Sequence, residues 1–501
     1  MKTPSPDLFR LINAMSASEK RYFKKDTKDS STSELFDLIN DQSAYEEDEI
    51  KKKLSDKSFA KNLKVHKNRL QQILLKNLRS YYEEKSAQSK IKVLIENGEI
   101  LIKKQLYDLA FNQFEKALNI CKNYEEYELM LVVLGVQARM SSYFKDMLPA
   151  DAMPMVEMEK CAAIIQNYVQ HAIVNKKILH FLNMESVSMQ VSEAFHYIQK
   201  LIKEEIIDKE REPLSPIAER MYLHSQALMY NANNDAERSY ELTKKILEKF
   251  ESNPHIVEEK NAQYFNCIVN HLSFTARLDK LQEVENWVNK VRKHAENHEQ
   301  LLPNLVYIYQ TFVEALRGRQ QFTKIKAILE IDFRALVEKF NLEDEYVSKL
   351  TNAFGVEAYI ALDEYDKAGD IIVRILNSNQ DLPKDMLYAI YILELIYHFD
   401  QKNFMLIENM VAAHQKRIRR NNEQLPFFEA VISFFKNSSN GANFERKNYF
   451  GLHQTSLAKF ENDPVFFFLN LLFDYPLWVT SHERKISYAA ILKQKEALKK
   501  R

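Results

Sequence analysis

Glycine and proline are scarce, with 7 and 12 in 501 residues, against an average usage of about 7% and 5%. The scarcity disfavours sheet folds built on tight turns and favours long helices with short connections. It also removes the phosphate-cradling loops. Neither G-x-G-x-x-G nor G-x-x-x-x-G-K-[ST] occurs, and the closest pair, Gly441 and Gly451, sits in a polar stretch. An excess of one charge is missing too: Lys plus Arg and Asp plus Glu each number 70, so no global field draws the chain to nucleic acid or membrane. The three cysteines, Cys121, Cys161 and Cys267, are isolated and read as reduced core residues of a cytosolic protein. The start, MKTPSPDLFRLINAM, places Asp7 and Arg10 where a signal peptide needs an unbroken apolar region. The most apolar run, VFFFLNLLF at 465–473, contains Asn470 and meets Asp474. It is too short for a bilayer and predicts a buried helix. A cytoplasmic location is therefore expected.

What is abundant is helical periodicity. In residues 352–376, NAFGVEAYIALDEYDKAGDIIVRIL, Val356 and Tyr359 put apolar groups on one face of a first helix. Asp363 to Asp366 break the run, and Ala368, Ile372 and Ile375 give a second helix an apolar stripe. The small Ala368 permits close approach. One hairpin cannot bury both of its faces, so stacked copies are implied. Aligning the residue that opens each second helix gives 110, 194, 239, 284, 325, 368 and 407, with steps of 84, 45, 45, 41, 43 and 39. The first step is twice 42, so an irregular copy belongs between, with Val136, Met140 and Tyr143 in its first helix and Pro149 and Pro154 interrupting its second half. The expectation is an all-α chain whose centre is a right-handed α-solenoid of about eight long hairpins.

Gly98, Leu101, Ala110, Phe114 and Ala117, together with Tyr359, Ala368, Ile372 and Ile375, resemble the tetratricopeptide consensus G-x-x-Y, A-x-x-x-F, x-x-A. The likeness spans about two thirds of the chain. The steps centre near 42 residues rather than the family's 34, about one further turn in each helix, so HEAT-like or armadillo-like packing stays open. A helical bundle ahead of a long-helix array is similar to the peptide-sensing regulators of Gram-positive bacteria. The ends, LFRLINAMSASEKRYFKK and DYPLWVTSHERKISYAAIL, resemble those of an uncharacterised Bacteroidota repeat-protein group, which implies no activity.

Three regions are expected: an N-terminal helical bundle over 1–85, the array over 86–425, and a C-terminal helical cap over 426–501. In the first, DLFRLINAM, SASEKRYFKK, SSTSELFDLI and YEEDEIKKKL predict short helices, and 57–82 predicts one long helix with Phe59, Leu63, Leu70, Ile73, Leu74, Leu78 and Tyr81 on its apolar face. Its other face is basic. Between 51 and 80, Lys and Arg outnumber acids ten to one, Asp56 being the single acid. Lys57, Lys61, Lys64 and Lys67 could therefore meet DNA or dock on acidic neighbours such as EEDE at 46–49. In the cap, FFEAVISFF and VFFFLNLLF supply enough apolar surface to close a solenoid end. The last helix, ISYAAILKQKEALKKR, becomes basic where the macrodipole favours cations.

No catalytic constellation emerges. His294 and His298 are spaced to share a metal on one helix face, but Ala295 stands where the zinc-protease pattern needs Glu, and no third ligand is near. No nucleophile elbow or kinase-like set is present, and neither a cofactor nor a metal is expected. The reading is a non-enzymatic scaffold for a protein or peptide segment. In the tetratricopeptide register the inner surface is implied to carry His224, Asn266, Asn270, Arg277, Tyr307, Gln310, Glu314, Arg317 and Glu357. Asn and Arg can hold a backbone or carboxylate, and Tyr adds area with a polar end. Of the family's two-carboxylate clamp only Asn270 fits. The alternative is a ligand-sensing regulator whose basic N-terminal helix contacts DNA or a target protein.

Overall fold

The computed structural model describes residues 6–27, 30–55, 62–83, 86–145, 147, 153–184, 212–232, 235–278, 280–378, 382–421, 424–438 and 449–499. Every regular element among them is helical. The chain divides into two compact units, residues 1–167 and 168–501. The expected boundary at 85/86 falls inside the first unit and that at 425/426 inside the second.

In the first unit, α1 (Asp7–Ala14), α2 (Ala17–Asp26), α3 (Ser30–Asn40), α4 (Glu47–Lys53) and α5 (Leu63–Glu83) enclose one core. Ser16 and Glu19 form a reciprocal capping box that starts α2. Leu63, Leu70 and Leu74 of α5 close on Leu8, Ile12, Phe23, Phe36 and Ile50. The helix expected from residue 57 begins at Leu63, and 56–61, with Lys57, Phe59 and Lys61, lie outside the described residues. Then come α6 (Ala87–Lys103), α7 (Tyr107–Tyr124), α8 (Tyr127–Arg139), α9 (Ser141–Phe144) and α10 (Pro154–Met184), which runs through the unit boundary. Pro154 does not interrupt a helix. It is the first residue of α10, where a missing N–H costs nothing. Between α6 and α7, a Cβ on Gly98 would lie 2.5 Å from the buried Phe114 ring, so the ring occupies the space that the glycine leaves.

The second unit continues with α11 (Pro216–Ala232), α12 (Ala236–Glu251), α13 (Pro254–Glu259), α14 (Asn261–Arg277), α15 (Leu281–Asn297), α16 (Leu305–Gly318), α17 (Phe322–Ala327), α18 (Arg334–Phe340), α19 (Tyr346–Ala361), α20 (Tyr365–Leu376), α21 (Lys384–Asp400) and α22 (Phe404–Asn421). A π-helical stretch, Ile328–Phe333, joins α17 to α18. The copy expected around Ala194, Ile198 and Leu201 lies outside the described residues. Neighbours in sequence are neighbours in space: α11 packs on α12, α14 on α15 and α16, α16 on α19, and α19 on α20.

One turn recurs at α6–α7, α11–α12, α16–α17, α19–α20 and α21–α22, and again after Cys121, Val337 and Ser481. The N–H of Leu106, Asp235, Gln321, Glu364 and Asn403 donates to the carbonyl five residues earlier, at Leu101, Tyr230, Leu316, Tyr359 and His398, over 2.8–3.0 Å. This is the longer bond of the Schellman motif. It needs a left-handed residue, and with so few glycines the position falls to Gln105, Gln320, Asp363 and Lys402, at φ of 56–61°. Each costs roughly 1 kcal/mol of backbone strain.

The chain ends with α23 (Pro426–Ser438), α24 (Tyr449–Ser456), α25 (Pro464–Leu472), α26 (Tyr475–Glu483) and α27 (Tyr488–Lys499). Helix α25 packs on α19 and α21, and α27 on α19. Trp478 is buried against Phe399, Phe435 and Phe450, and its indole N–H donates to Asp400 Oδ1 at 3.1 Å. No described helix is long and apolar enough to cross a membrane.

Candidate functional site

Helices α11, α14, α16 and α19 each open a helical pair, and the nine residues expected on the inner surface sit on them. The first cluster joins α10, α11 and α14. Asn175 Nδ2 stands 2.9 Å from His224 Nδ1 and 3.1 Å from Ser225 Oγ, whose own proton goes to the Met221 carbonyl. Asn270 Nδ2 lies 2.8 Å from His224 Nε2, on the other side of the ring. The ring is thus held between side-chain amides. Burial lowers His224 to about 4, which keeps the ring neutral.

The second cluster runs along α14 and α16. Arg277, the last residue of α14, donates through Nη1 to Asn231 Oδ1 at 2.5 Å. Burial raises the Glu314 carboxyl above its ordinary range, and Arg277 and Arg317 act against that rise. Glu314 accepts no hydrogen bond among the described residues. The same holds for the side chains of Asn266 and Gln310 and for the hydroxyl of Tyr307, which is 45% exposed. Among the described residues these groups have no polar partner.

The third cluster is occupied by the chain itself. Arg317 Nε stands 2.6 Å from Glu357 Oε2, with side-chain exposures of only 14% and 4%. Arg317 also donates from Nε to the Leu472 carbonyl and from Nη2 to the Asn470 carbonyl, both at 3.1 Å. These carbonyls lie at the C-terminal end of α25, where the helix itself supplies no donors. The chain then extends through Phe473 (φ −155°, ψ 133°), and the Asp474 N–H donates to Glu357 Oε1 at 2.9 Å. The Tyr488 hydroxyl donates to the same oxygen. Burial, followed by the Glu357 charge, pushes Tyr488 well above its usual range and keeps that proton in place. Lys495 Nζ closes on Asp474 Oδ2 at 2.6 Å. A polar cavity of about 370 Å³ opens beside the clamp, between Gln320, Asn470, Asp474 and Lys495.

Arg317 and Glu357 therefore bind main chain, but that of residues 470–474. The sequence pattern held no sign of Tyr488, Asn175 or Asn231 as members of these clusters. Asn470 and Asp474, as polar breaks in an apolar run, were the available signal.

On the basic face, Lys64 is exposed, whereas Lys67 is tied to Glu47 at 2.9 Å and to the Tyr45 hydroxyl at 2.5 Å. Burial works against ionisation of Glu47, yet hydrogen bonds from Lys67, Lys51 and Tyr45 hold it at about 2. The His294 and His298 rings lie 4.5 Å apart, and His298 pairs with Glu258 at 3.4 Å. Among the described residues no three His, Cys, Asp or Glu side chains are grouped to hold a metal. Among the described residues the clusters offer paired charges and main-chain hydrogen bonds. No protein-family model, curated protein or solved structure matches the chain.

Proposed function

We propose that this protein is a non-enzymatic cytoplasmic scaffold that binds a protein or peptide segment on the inner face of a tetratricopeptide-like, right-handed solenoid of about eight hairpins. The observation that carries the reading is the row of polar side chains on successive first helices, from His224 and Asn270 through Arg277 and Glu314 to Arg317 and Glu357. Its far end grips main chain through Arg317 and Glu357. The tie between Lys67 and Glu47 leaves the DNA-contacting alternative less support, because it withdraws one of the four cations that it needs.

A photo-crosslinking residue at position 307 tests the reading, with position 331, 66% exposed on the π-helical stretch, as the control. Intermolecular adducts from 307 and none from 331 are expected in cells of the source organism. Equal labelling at both positions, or none at 307, refutes an inner-face site.

A further inference from the structure

One repeat earlier, Arg277 and Glu314 hold helix positions like those of Arg317 and Glu357 but form no ion pair with each other. Arg317 is the next-to-last residue of α16, and Glu357 stands four residues before the end of α19. Arg277 is the last residue of α14, and Glu314 stands four residues before the end of α16. Each set thus places an Arg at the close of one first helix and a Glu one turn inside the next.

Their occupancy differs. Arg317 uses Nε and Nη2 for two carbonyls, whereas Arg277 uses only Nη1, for Asn231, and leaves Nε and Nη2 without hydrogen bonds among the described residues. Glu357 accepts an amide N–H and a hydroxyl, whereas Glu314 accepts nothing among those residues. Glu314 is half-buried and its oxygens accept nothing from the described residues, so they are open to a donor that a ligand brings. The charges of Arg277 and Arg317 offset part of the cost of that burial but provide no donor to its oxygens.

We infer that Arg277 and Glu314 form a second main-chain clamp, which takes a short peptide segment of a partner protein through its backbone. Arg277 donates from Nε and Nη2 to two of its free carbonyls, and Glu314 accepts a free N–H a few residues further on. The occupant has the chemistry of Asn470–Asp474: carbonyls unpaired at the end of a helical turn, followed by one extended residue and an unpaired amide. Recognition runs through backbone groups, so the clamp tolerates many side chains at these positions. The inference rests on the peptide-scaffold reading and specifies its contact.

The test uses the full chain and a phage-displayed library of random dodecamers, with the enriched peptides then synthesised. Affinity is measured for the wild type, for Arg277→Gln and for Glu314→Gln, with circular dichroism melts as folding controls. Each peptide is also scanned by N-methylation, one amide at a time, against the unaltered protein. At least a tenfold loss is expected in both variants and at one amide position, with the Glu314→Gln loss and the N-methyl loss not additive. Enriched peptides that bind both variants as well as the wild type, with no sensitive amide, overturn the clamp while leaving a peptide scaffold intact. A library that yields no binder overturns both.

Discussion

Replacing Arg317 by Met should loosen the C-terminal helices from the rest of the second unit. Removing one partner of a buried ion pair costs about 3–5 kcal/mol, because the other charge stays buried. Here Glu357 keeps two donors, the Asp474 N–H and the Tyr488 hydroxyl, which places its share towards the lower end of that range. The carbonyls of Asn470 and Leu472 lose their donors, at about 1 kcal/mol each before water from the adjoining cavity compensates. The net loss is then about 4 kcal/mol. Trp287 and Trp478 are the two tryptophans, so Trp287→Phe leaves Trp478, buried among the C-terminal helices, as the reporter. Urea unfolding followed by its fluorescence should show a lowered midpoint for Arg317→Met. Arg317→Met/Glu357→Met should be more stable than the sum of the two single losses predicts, by at least about 2 kcal/mol. A loss below about 1 kcal/mol, or additive effects, would refute the assignment of the pair as the tie.

Stability should also fall with acidity. His271 is fully buried and held at about 4 by burial, against the pull of Glu283, whose carboxylate lies 3.7 Å away, and with Lys244 and Lys280 nearby opposing protonation. Burial likewise holds His414 and His453 at about 4, with Arg417 adding to the effect at His414. An unfolded histidine titrates near 6.5, so between 6.5 and 4 the unfolded chain binds more protons and stability declines as pH falls. Between pH 7 and pH 5 each contributes a loss of about 2 kcal/mol, and a urea midpoint unchanged over that range would contradict their neutral burial. In the first unit, Gly98→Ala drives a methyl group into the Phe114 ring and should cost about 1–3 kcal/mol. Calorimetry should show a lowered transition, partly restored when Phe114→Leu is added; an unaltered transition means the helices part freely there.

The stretch around Tyr359 and Ala368 was readable because both of its helices carry apolar residues at a 3.6-residue period, and Val356, Tyr359, Ala368, Ile372 and Ile375 are all buried. Even its turn was marked, by the polar DEYD that contains the left-handed Asp363. The expectation for Pro154 was less accurate, since proline breaks a helix interior yet suits a helix start, and composition alone does not say which applies. The candidate site was legible residue by residue but not in its pairings. Polar groups on first helices stand out against apolar neighbours, so Arg317 and Glu357 could be named. Their partners lie 117 to 155 residues further on, and no local periodicity encodes a contact across that separation.

That separation sets an order of events during synthesis. When the ribosome has made α19, Glu357 and Arg317 are in place, but the Tyr488 hydroxyl that completes the clamp is 131 residues away. At about 5–20 residues per second, the interval is roughly 7 to 26 s. Through it the Arg317–Glu357 pair lacks the main chain and the hydroxyl that it holds in the folded chain, so the second unit closes only after the last helices are made.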